Sequence, residues 1–331
     1  MADLAKWSGG TVTTNNLPET WTTLTTDLFP TQDRNDGSAY GHASANTFTL
    51  PSSGLADGYL LVAFYEFEDS SNGRFNPQMQ IIQSAGTGNF ISQPTGGYCR
   101  DASEDRAYVR CWAFIDSPSA SAEFEVQVKA DTDDVNTGDG TVRSEFQITP
   151  FYYDNIGMYN STDNQAHNGT SPNNVTGFTA TYESDTNAIQ ITTSIATVKT
   201  DNRRYLLLGG YFSEGRGSNR TQRWAGFEID GAFQSHLKQC HYIRQSSVDE
   251  TGGMMTGIIN RVTTDITVNM GVYRGAGVAA SQGGADIDGA SPSVSSANMV
   301  IIELNSDTEV FYGESNANSS NVATTGPVDM I

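Results

Sequence analysis

Short apolar runs recur along the chain, separated by clusters of Asn, Asp, Gly, Ser and Pro. Runs of this length, rich in Thr, Val, Ile, Phe and Tyr, predict β-strands. In the first half they cover Asn46–Leu50, Tyr59–Phe67, Tyr108–Ile115, Phe124–Val128 and Glu145–Phe151. The second half offers Ala188–Ile195, Tyr205–Phe212, Trp224–Ile229, Met254–Asn260, Ile266–Tyr273 and Met299–Leu304. No segment of about 12 residues or more repeats its apolar positions with the 3.6-residue period of a helix, so long helices are not expected. The longest apolar runs, such as Tyr59–Tyr65, have strand length and fall short of a bilayer span. Many short strands with Gly-rich turns predict an all-β chain built of sandwiches or barrels.

The pattern repeats. Tyr59-Leu-Leu-Val-Ala-Phe-Tyr65 matches Tyr205-Leu-Leu-Leu-Gly-Gly-Tyr211 at an offset of 205 − 59 = 146, which also carries Glu68 onto Glu214 and Arg74 onto Arg220. Upstream, Asn46–Leu50 resembles Asn187–Ile191, and Asn15–Leu17 resembles Asn173–Val175. Downstream, Arg100–Asp105 resembles Arg244–Asp249, and the strands Glu145–Phe151 and Met299–Leu304 close each copy. Several anchors in one order at nearly constant spacing point to an internal duplication. The expected division is an N-terminal arm at 1–14, a first domain at 15–159, a polar linker at 160–174, a second domain at 175–305 and a C-terminal arm at 306–331. The linker and arms are too polar and aperiodic to bury a core. A chain of 331 residues is long enough for two domains at about 100–200 residues each.

Charge narrows the set of partners. With 38 acidic and 18 basic residues the formal net charge is −20, and lysine occurs only at positions 6, 129, 199 and 238. Phosphate backbones and anionic membrane surfaces need clustered cations, so neither nucleic acid nor membrane is an expected partner. The opening MADLAKWSGGTVTTNN lacks the apolar stretch of a secretory signal, which predicts synthesis in a cytoplasm. Three cysteines (Cys99, Cys111, Cys240) form no disulfide framework and read as small buried hydrophobes, with Cys99 and Cys111 placed to bridge neighbouring strands in oxidising surroundings.

Catalytic signals are poor, and no catalytic residue is assigned. His236, Cys240 and His241 have spacing that suits neither one helix face nor one strand face for zinc. There is no nucleophile elbow and no phosphate loop. Carboxylates such as Glu66, Glu68 and Asp69 are the weak basis for a sandwich glycosidase. A loop with Asp131, Asp133, Asp134, Asn136 and Asp139 offers calcium a set of hard oxygen ligands, although its glycine is misplaced for an EF-hand; Asp286 and Asp288 are a weaker version. No other cofactor is expected. Arg74 and Arg220, each six residues after an acid (Glu68, Glu214), are candidates for an inter-subunit or inter-domain contact, or for an internal ion pair closing the turn. Tyr59 and Tyr205 are expected at strand ends with their hydroxyls in water.

The run Tyr-Leu-Leu-(small)-Tyr, then an acid and an Asn/Ser-rich turn ending in Arg, stands at Tyr59–Arg74 and Tyr205–Arg220, with Met299-Val-Ile-Ile-Glu-Leu304 closing the second copy. In this the chain resembles the tumour-necrosis-factor-like jelly-roll domains of structural proteins of tailed bacteriophages, over about residues 15–305. The resemblance implies two tandem jelly-roll β-sandwich domains with extended polar termini, and a virion component of head or tail. It carries no catalytic residue over. The expected function is a head decoration or cement protein on the capsid exterior, bound to the major capsid protein or other virion proteins as a homo-oligomer, a trimer among its forms. The alternatives are a receptor- or carbohydrate-binding module, with Tyr98, Trp112 and Trp224 stacking on sugars, and last the glycosidase.

Overall fold

The computed structural model describes residues 4–9, 14–15, 17–36, 39–68, 76–97, 106–130, 139–140, 143–163, 165–167, 171–199, 203–215, 221–243, 250–259, 264–274, 285–287 and 297–305. These residues form strands and their connections. The early strands are β1 (Ala5–Gly9), β2 (Thr14–Asn15), β3 (Thr31–Asn35), β4 (Gly41–Ser44), β5 (Thr47–Thr49) and β6 (Gly58–Glu68). There follow β7 (Gln78–Ala85), β8 (Asn89–Gln93), β9 (Thr95–Gly96), β10 (Arg106–Asp116), β11 (Glu123–Lys129), β12 (Asp139–Gly140) and β13 (Arg143–Phe151). The second set begins with β14 (Tyr153–Ser161), β15 (Gln165–His167), β16 (Asn173–Asn174), β17 (Thr179–Glu183), β18 (Ile189–Thr192), β19 (Ile195–Val198) and β20 (Arg204–Gly215). It ends with β21 (Thr221–Ile229), β22 (Ala232–Ile243), β23 (Glu250–Ile259), β24 (Ile266–Arg274), β25 (Ala285–Ile287) and β26 (Ala297–Leu304).

Antiparallel sheets pack in pairs. In the first pair, β3-β1-β13-β6-β10-β8 faces β4-β5-β11-β7-β9. In the second, β15-β25-β20-β26-β14-β17, with β23 on β20, faces β18-β19-β24-β21-β22. Hydrogen-bonded pairs nest inside one another along the chain: β1 with β13, β5 with β11, β6 with β10, β7 with β9. The second set nests likewise: β14 with β26, β19 with β24, β20 with β23, β21 with β22. Nested pairing shared between two facing sheets is the winding of a jelly roll.

Alternation explains which residues enter each core. In β11, Phe124, Val126 and Val128 point inward while Glu123, Glu125, Gln127 and Lys129 do not. One core gathers Trp7, Phe48, Tyr65, Cys111 and Phe146, and the other Tyr205, Tyr211, Phe227, Met270 and Ile301. Cys111 is fully buried, which pushes its thiol well above the usual range.

A third cluster joins the pairs. Ile91, Trp112 and Phe114 of the first sandwich pack against Ile156, Met158, Leu208, Met254, Val300, Ile302 and Leu304 of the second. The outward faces of the β6- and β20-containing sheets therefore meet, giving four stacked sheet layers. β26 is buried at all eight positions because its sheet is covered on both sides. A strand buried on both faces reads as a continuous apolar run rather than an alternation. This accounts for Met299–Leu304 and most of Tyr205–Tyr211; in Tyr59–Tyr65 the cover is partial, and the outward Leu60, Val62 and Phe64 are half-buried.

Several expectations change. Residues 5–9 belong not to an arm but to a strand inside the first sheet, with Ala5 and Trp7 turned into the core; the interleaved Lys6 and Ser8 hide the pattern. Residues 153–159 pair with β26 and β17, so they open the second sandwich rather than close the first. Residues 160–174, expected as a linker, contribute Asn160 and Ser161 to β14 and form β15 and β16. Ala188–Ile195 is broken by Thr193 and Ser194, both at positive φ, into β18 and β19. In consequence Asn187–Ile191 lies one strand further out than Asn46–Leu50, since β5 pairs with β11 while β18 pairs with β19. Tyr59 and Tyr205 are buried, and the Tyr59 hydroxyl accepts the Ala56 N–H at 2.9 Å. The tight β21–β22 turn is Asp230-Gly231 with both φ positive, the geometry two-residue hairpins favour.

Candidate functional site

The direction of the two sandwiches decides which loops share a surface. At one end of the stack, the Tyr153 hydroxyl donates to Asp116 Oδ1 at 2.5 Å and to the Asp57 carbonyl at 3.1 Å, and Asn89 Nδ2 donates to Asp116 Oδ2 at 2.9 Å. Burial and the adjacent carboxylates push the Tyr153 hydroxyl far above its usual range, so it stays a donor. Tyr153 pairs with Leu304, and Leu304 with Arg204. The starts of β6 and β20 therefore lie together at this end.

Towards the other end, the Thr251 hydroxyl donates to the Gly96 carbonyl at 3.0 Å. Thr251 pairs with Ser213, next to Glu214. Between these ends, Asn298 Nδ2 donates to the Ser92 carbonyl at 2.8 Å and to Gln93 Oε1 at 3.0 Å. Gln93 and Asn298 are fully buried, so these bonds satisfy groups that water cannot reach. The β6 and β20 strands thus run the same way, and the segments that follow them leave from one end of the stack.

That end collects the acidic members of the predicted site. Glu68 pairs with Arg106, Glu214 pairs with Glu250, and Asp286 of β25 stands opposite Glu214. Asp139 pairs with Asn15 in the small β2–β12 ribbon, which lies beside β6. Arg74, Arg220, Asp131, Asp133, Asp134 and Asn136 lie outside the described residues, as do Tyr98, Cys99, Arg100–Asp105, Arg244–Asp249, Asp288 and the arm at 306–331. The structure thus brings the backbones of Glu68 and Glu214 to a common end. Among the described residues no group of three or more His, Cys, Asp and Glu is placed to hold a metal ion.

The remaining candidates separate. Trp112 is fully buried at the junction, where sugar stacking is impossible, whereas Trp224 is half-buried on the outward face of the β21-containing sheet. Glu66 is buried on β6. Trp224 pairs with Cys240 and Arg223 with His241, placing those two residues on neighbouring positions of β22. Sequence reasoning missed the junction itself. Its available signals were the continuous apolar runs and the Gly-Gly step at 209–210.

No protein-family model matches the chain. No curated protein matches it. Among solved structures it is similar to a structure of the Gx strain of infectious bursal disease virus, over 93% of this chain and 70% of that one, at 8% identity and a TM-score of 0.25. An anti-sigma factor domain-containing protein is similar over 86% of this chain and 91% of that one, at 7% identity and a TM-score of 0.15. A mutant Bacillus subtilis oxalate decarboxylase is similar over 69% and 68%, at 10% identity and a TM-score of 0.12. Scores this low carry no weight for function, and the chain's own geometry is the firmer guide.

Proposed function

We propose that this chain is a non-enzymatic structural component of a virion, displayed on the capsid exterior of a tailed bacteriophage as a head decoration or cement protein. The observation that carries this reading is the polarity of the stack: two jelly rolls share one buried face, and Glu68 and Glu214 stand at the same end. A body in which two equivalent strands end at one side of the stack is suited to bridging two neighbouring subunits of a larger scaffold. The nested strand order, which matches between the two sandwiches, supports both the duplication and the tumour-necrosis-factor-like resemblance.

In this reading the partners are the major capsid protein or other virion proteins, together with further copies of the chain in a homo-oligomer, a trimer among its forms. The protein is made in the host cytoplasm and joins the particle there. The acidic surface keeps it soluble at high local concentration and away from the packaged genome. The reading requires no cofactor, and a calcium ion on the Asp131–Asp139 loop would stiffen the same end.

The test is copy number. Quantitative mass spectrometry of gradient-banded particles, scaled to the major capsid protein, is expected to find this chain at the same order of abundance. A few copies per particle would move it to a vertex, the portal or a tail fibre. Absence from particles would overturn the virion reading.

A further inference from the structure

The second sandwich covers only part of the outward face of the sheet β3-β1-β13-β6-β10-β8. Trp112 and Phe114 of β10 are buried beneath it, whereas Tyr108 is 61% exposed and Arg110 is exposed. Register sets Tyr108 and Arg143 on either side of Glu66, and Arg110 and Glu145 on either side of Phe64. Phe64 stacks beside Tyr108, with ring centroids 6.3 Å apart and 20° between planes. Charge on this patch runs against the rest of the chain: Lys6, Arg110 and Arg143 stand against Glu66 and Glu145, on a chain of net charge −20. Glu145 already has its cation in Lys6, at 3.0 Å, and Glu66 is only 6% exposed. Arg110 and Arg143 are both exposed, and neither forms an ion pair or hydrogen bond with a described residue. The open part of the face is therefore an aromatic pair with an uncompensated guanidinium on the strand at either side of β6.

The chain carries a segment of matching chemistry. Asp307-Thr-Glu-Val-Phe-Tyr-Gly-Glu314 holds three acids and two aromatic rings, and positions 306–331 contain no lysine or arginine. In an extended peptide alternate residues share one side, so Asp307, Glu309 and Phe311 can meet one surface together. β26 delivers this segment to the far end of its own copy, since Leu304 pairs with Tyr153, whose hydroxyl donates to Asp116. Along β10, Arg110 stands about 20 Å from Asp116, whereas the step from Asn305 to Asp307 spans at most about 7 Å. Arg143 lies one row further still. Asp307 therefore falls short of both guanidiniums of its own copy, a limit that does not apply to another copy.

We infer that residues 307–314 of one copy dock on the Phe64–Tyr108 face of another, with the acids on Arg110 and Arg143 and the rings on the aromatic pair. Guanidinium–carboxylate pairs are strong and directional, and aromatic rings in contact add to the area they bury. Two copies of net charge −20 repel one another at long range, so a contact between them forms best where one copy offers uncompensated cations. Tail on face is a heterologous contact, and repeated about a rotation axis it closes into a ring. The contact gives a surface to the homo-oligomer of the proposed reading and rests on that part of it, not on the virion.

The test is sedimentation velocity of the full chain over a concentration series, with the melting temperature as the control for folding. The wild type is expected to associate. Arg110→Glu and Arg143→Glu together are expected to weaken association at least about tenfold. Their melting temperature at low concentration should match the wild type, because both side chains are exposed. Asp307→Lys with Glu309→Lys is expected to weaken association by a similar factor. Mixing the two charge-reversed chains is expected to restore it, since the reversed tail of one then meets the reversed face of the other. A wild type that stays monomeric at every concentration, or a mixture that does not recover, would overturn the inference. So would loss on reversing the face but not the tail, which would mean that another acidic surface occupies it. Particle copy number plays no part in this measurement, so its outcome and that of the virion reading are separate.

Discussion

β6 and β20 hold the same place in their sandwiches, yet their outward faces differ. Leu61 pairs with Ile148 of the closing strand and with Ala113, and Leu207 pairs correspondingly with Ile301 and Gly257. Counting three residues on from each, Phe64 and Gly210 are equivalent. Phe64 is half-buried on the open part of its sheet, stacked at 6.3 Å beside Tyr108, which is 61% exposed. Gly210 lies instead beneath Gln93 and the Trp112 indole of the other sandwich, with Trp112 Nε1 2.6 Å from where its Cβ would stand. Inward positions are alike because each sandwich must fill its own core. Outward positions diverge because two faces that meet must be complementary, a ring on one needing a hollow on the other.

The first way to break this comparison is to remove the ring. Trp112→Ala is expected to cost about 3–5 kcal/mol, the range for deleting a large buried aromatic, read from urea unfolding. Phe64→Ala, at the half-buried equivalent of the hollow, should cost clearly less. If the two losses were equal, the junction would not belong to the cooperative core. Filling the hollow is the next largest effect. Gly210→Ala drives a methyl into Gln93 and Trp112 and is expected to cost about 1–3 kcal/mol, with a single unfolding transition retained.

The polar cluster around Tyr153, at the start of β6 and β20, comes third. Tyr153→Phe removes the hydroxyl that donates to Asp116, which is 3% exposed and keeps the Asn89 amide as its side-chain donor among the described residues. Leaving a buried acceptor short of a donor is expected to cost about 1–3 kcal/mol by thermal melting, and Asp116→Asn in the same background should recover part of it. Recovery would separate a charge effect from loss of packing.

Much of this was legible beforehand, for physical reasons that also mark where legibility stops. Strands such as β11 and β13 are buried on one face and only half-buried on the other, so their alternation survives in sequence. The repeat at Tyr59 and Tyr205 is visible because inward positions are held by two similar cores. β1 and β14 were lost to a supposed arm and a wrong domain because Lys6, Ser8, Asp154 and Asn155 dilute them, while their partners lie more than a hundred residues away. The junction was hidden for another reason. Trp112, Leu208 and Ile302 read as ordinary core residues, and only the departure from the repeat at Gly210 tells the shared face from the sandwich interiors. The predicted interface arginines depended on loop geometry that apolar periodicity does not encode, and the outward Arg110 and Arg143 offered no spacing motif at all.

The smallest expected effect probes the uncovered half of the same sheet. Lys6 Nζ lies 3.0 Å from Glu145 Oε2, with both side chains about a quarter exposed, on the part of the outward face that the second sandwich does not reach. In water such a pair gains little, because solvent screens the attraction and two long side chains lose freedom in making it. A double-mutant cycle with Lys6→Met and Glu145→Gln is expected to give a coupling of about 0.2–1 kcal/mol, falling further as salt is raised. A coupling well above that range, insensitive to salt, would mean that this half of the face is also shielded in solution. A second copy of the chain would be the first candidate for the cover, and sedimentation of the wild type alongside Glu145→Lys would detect it.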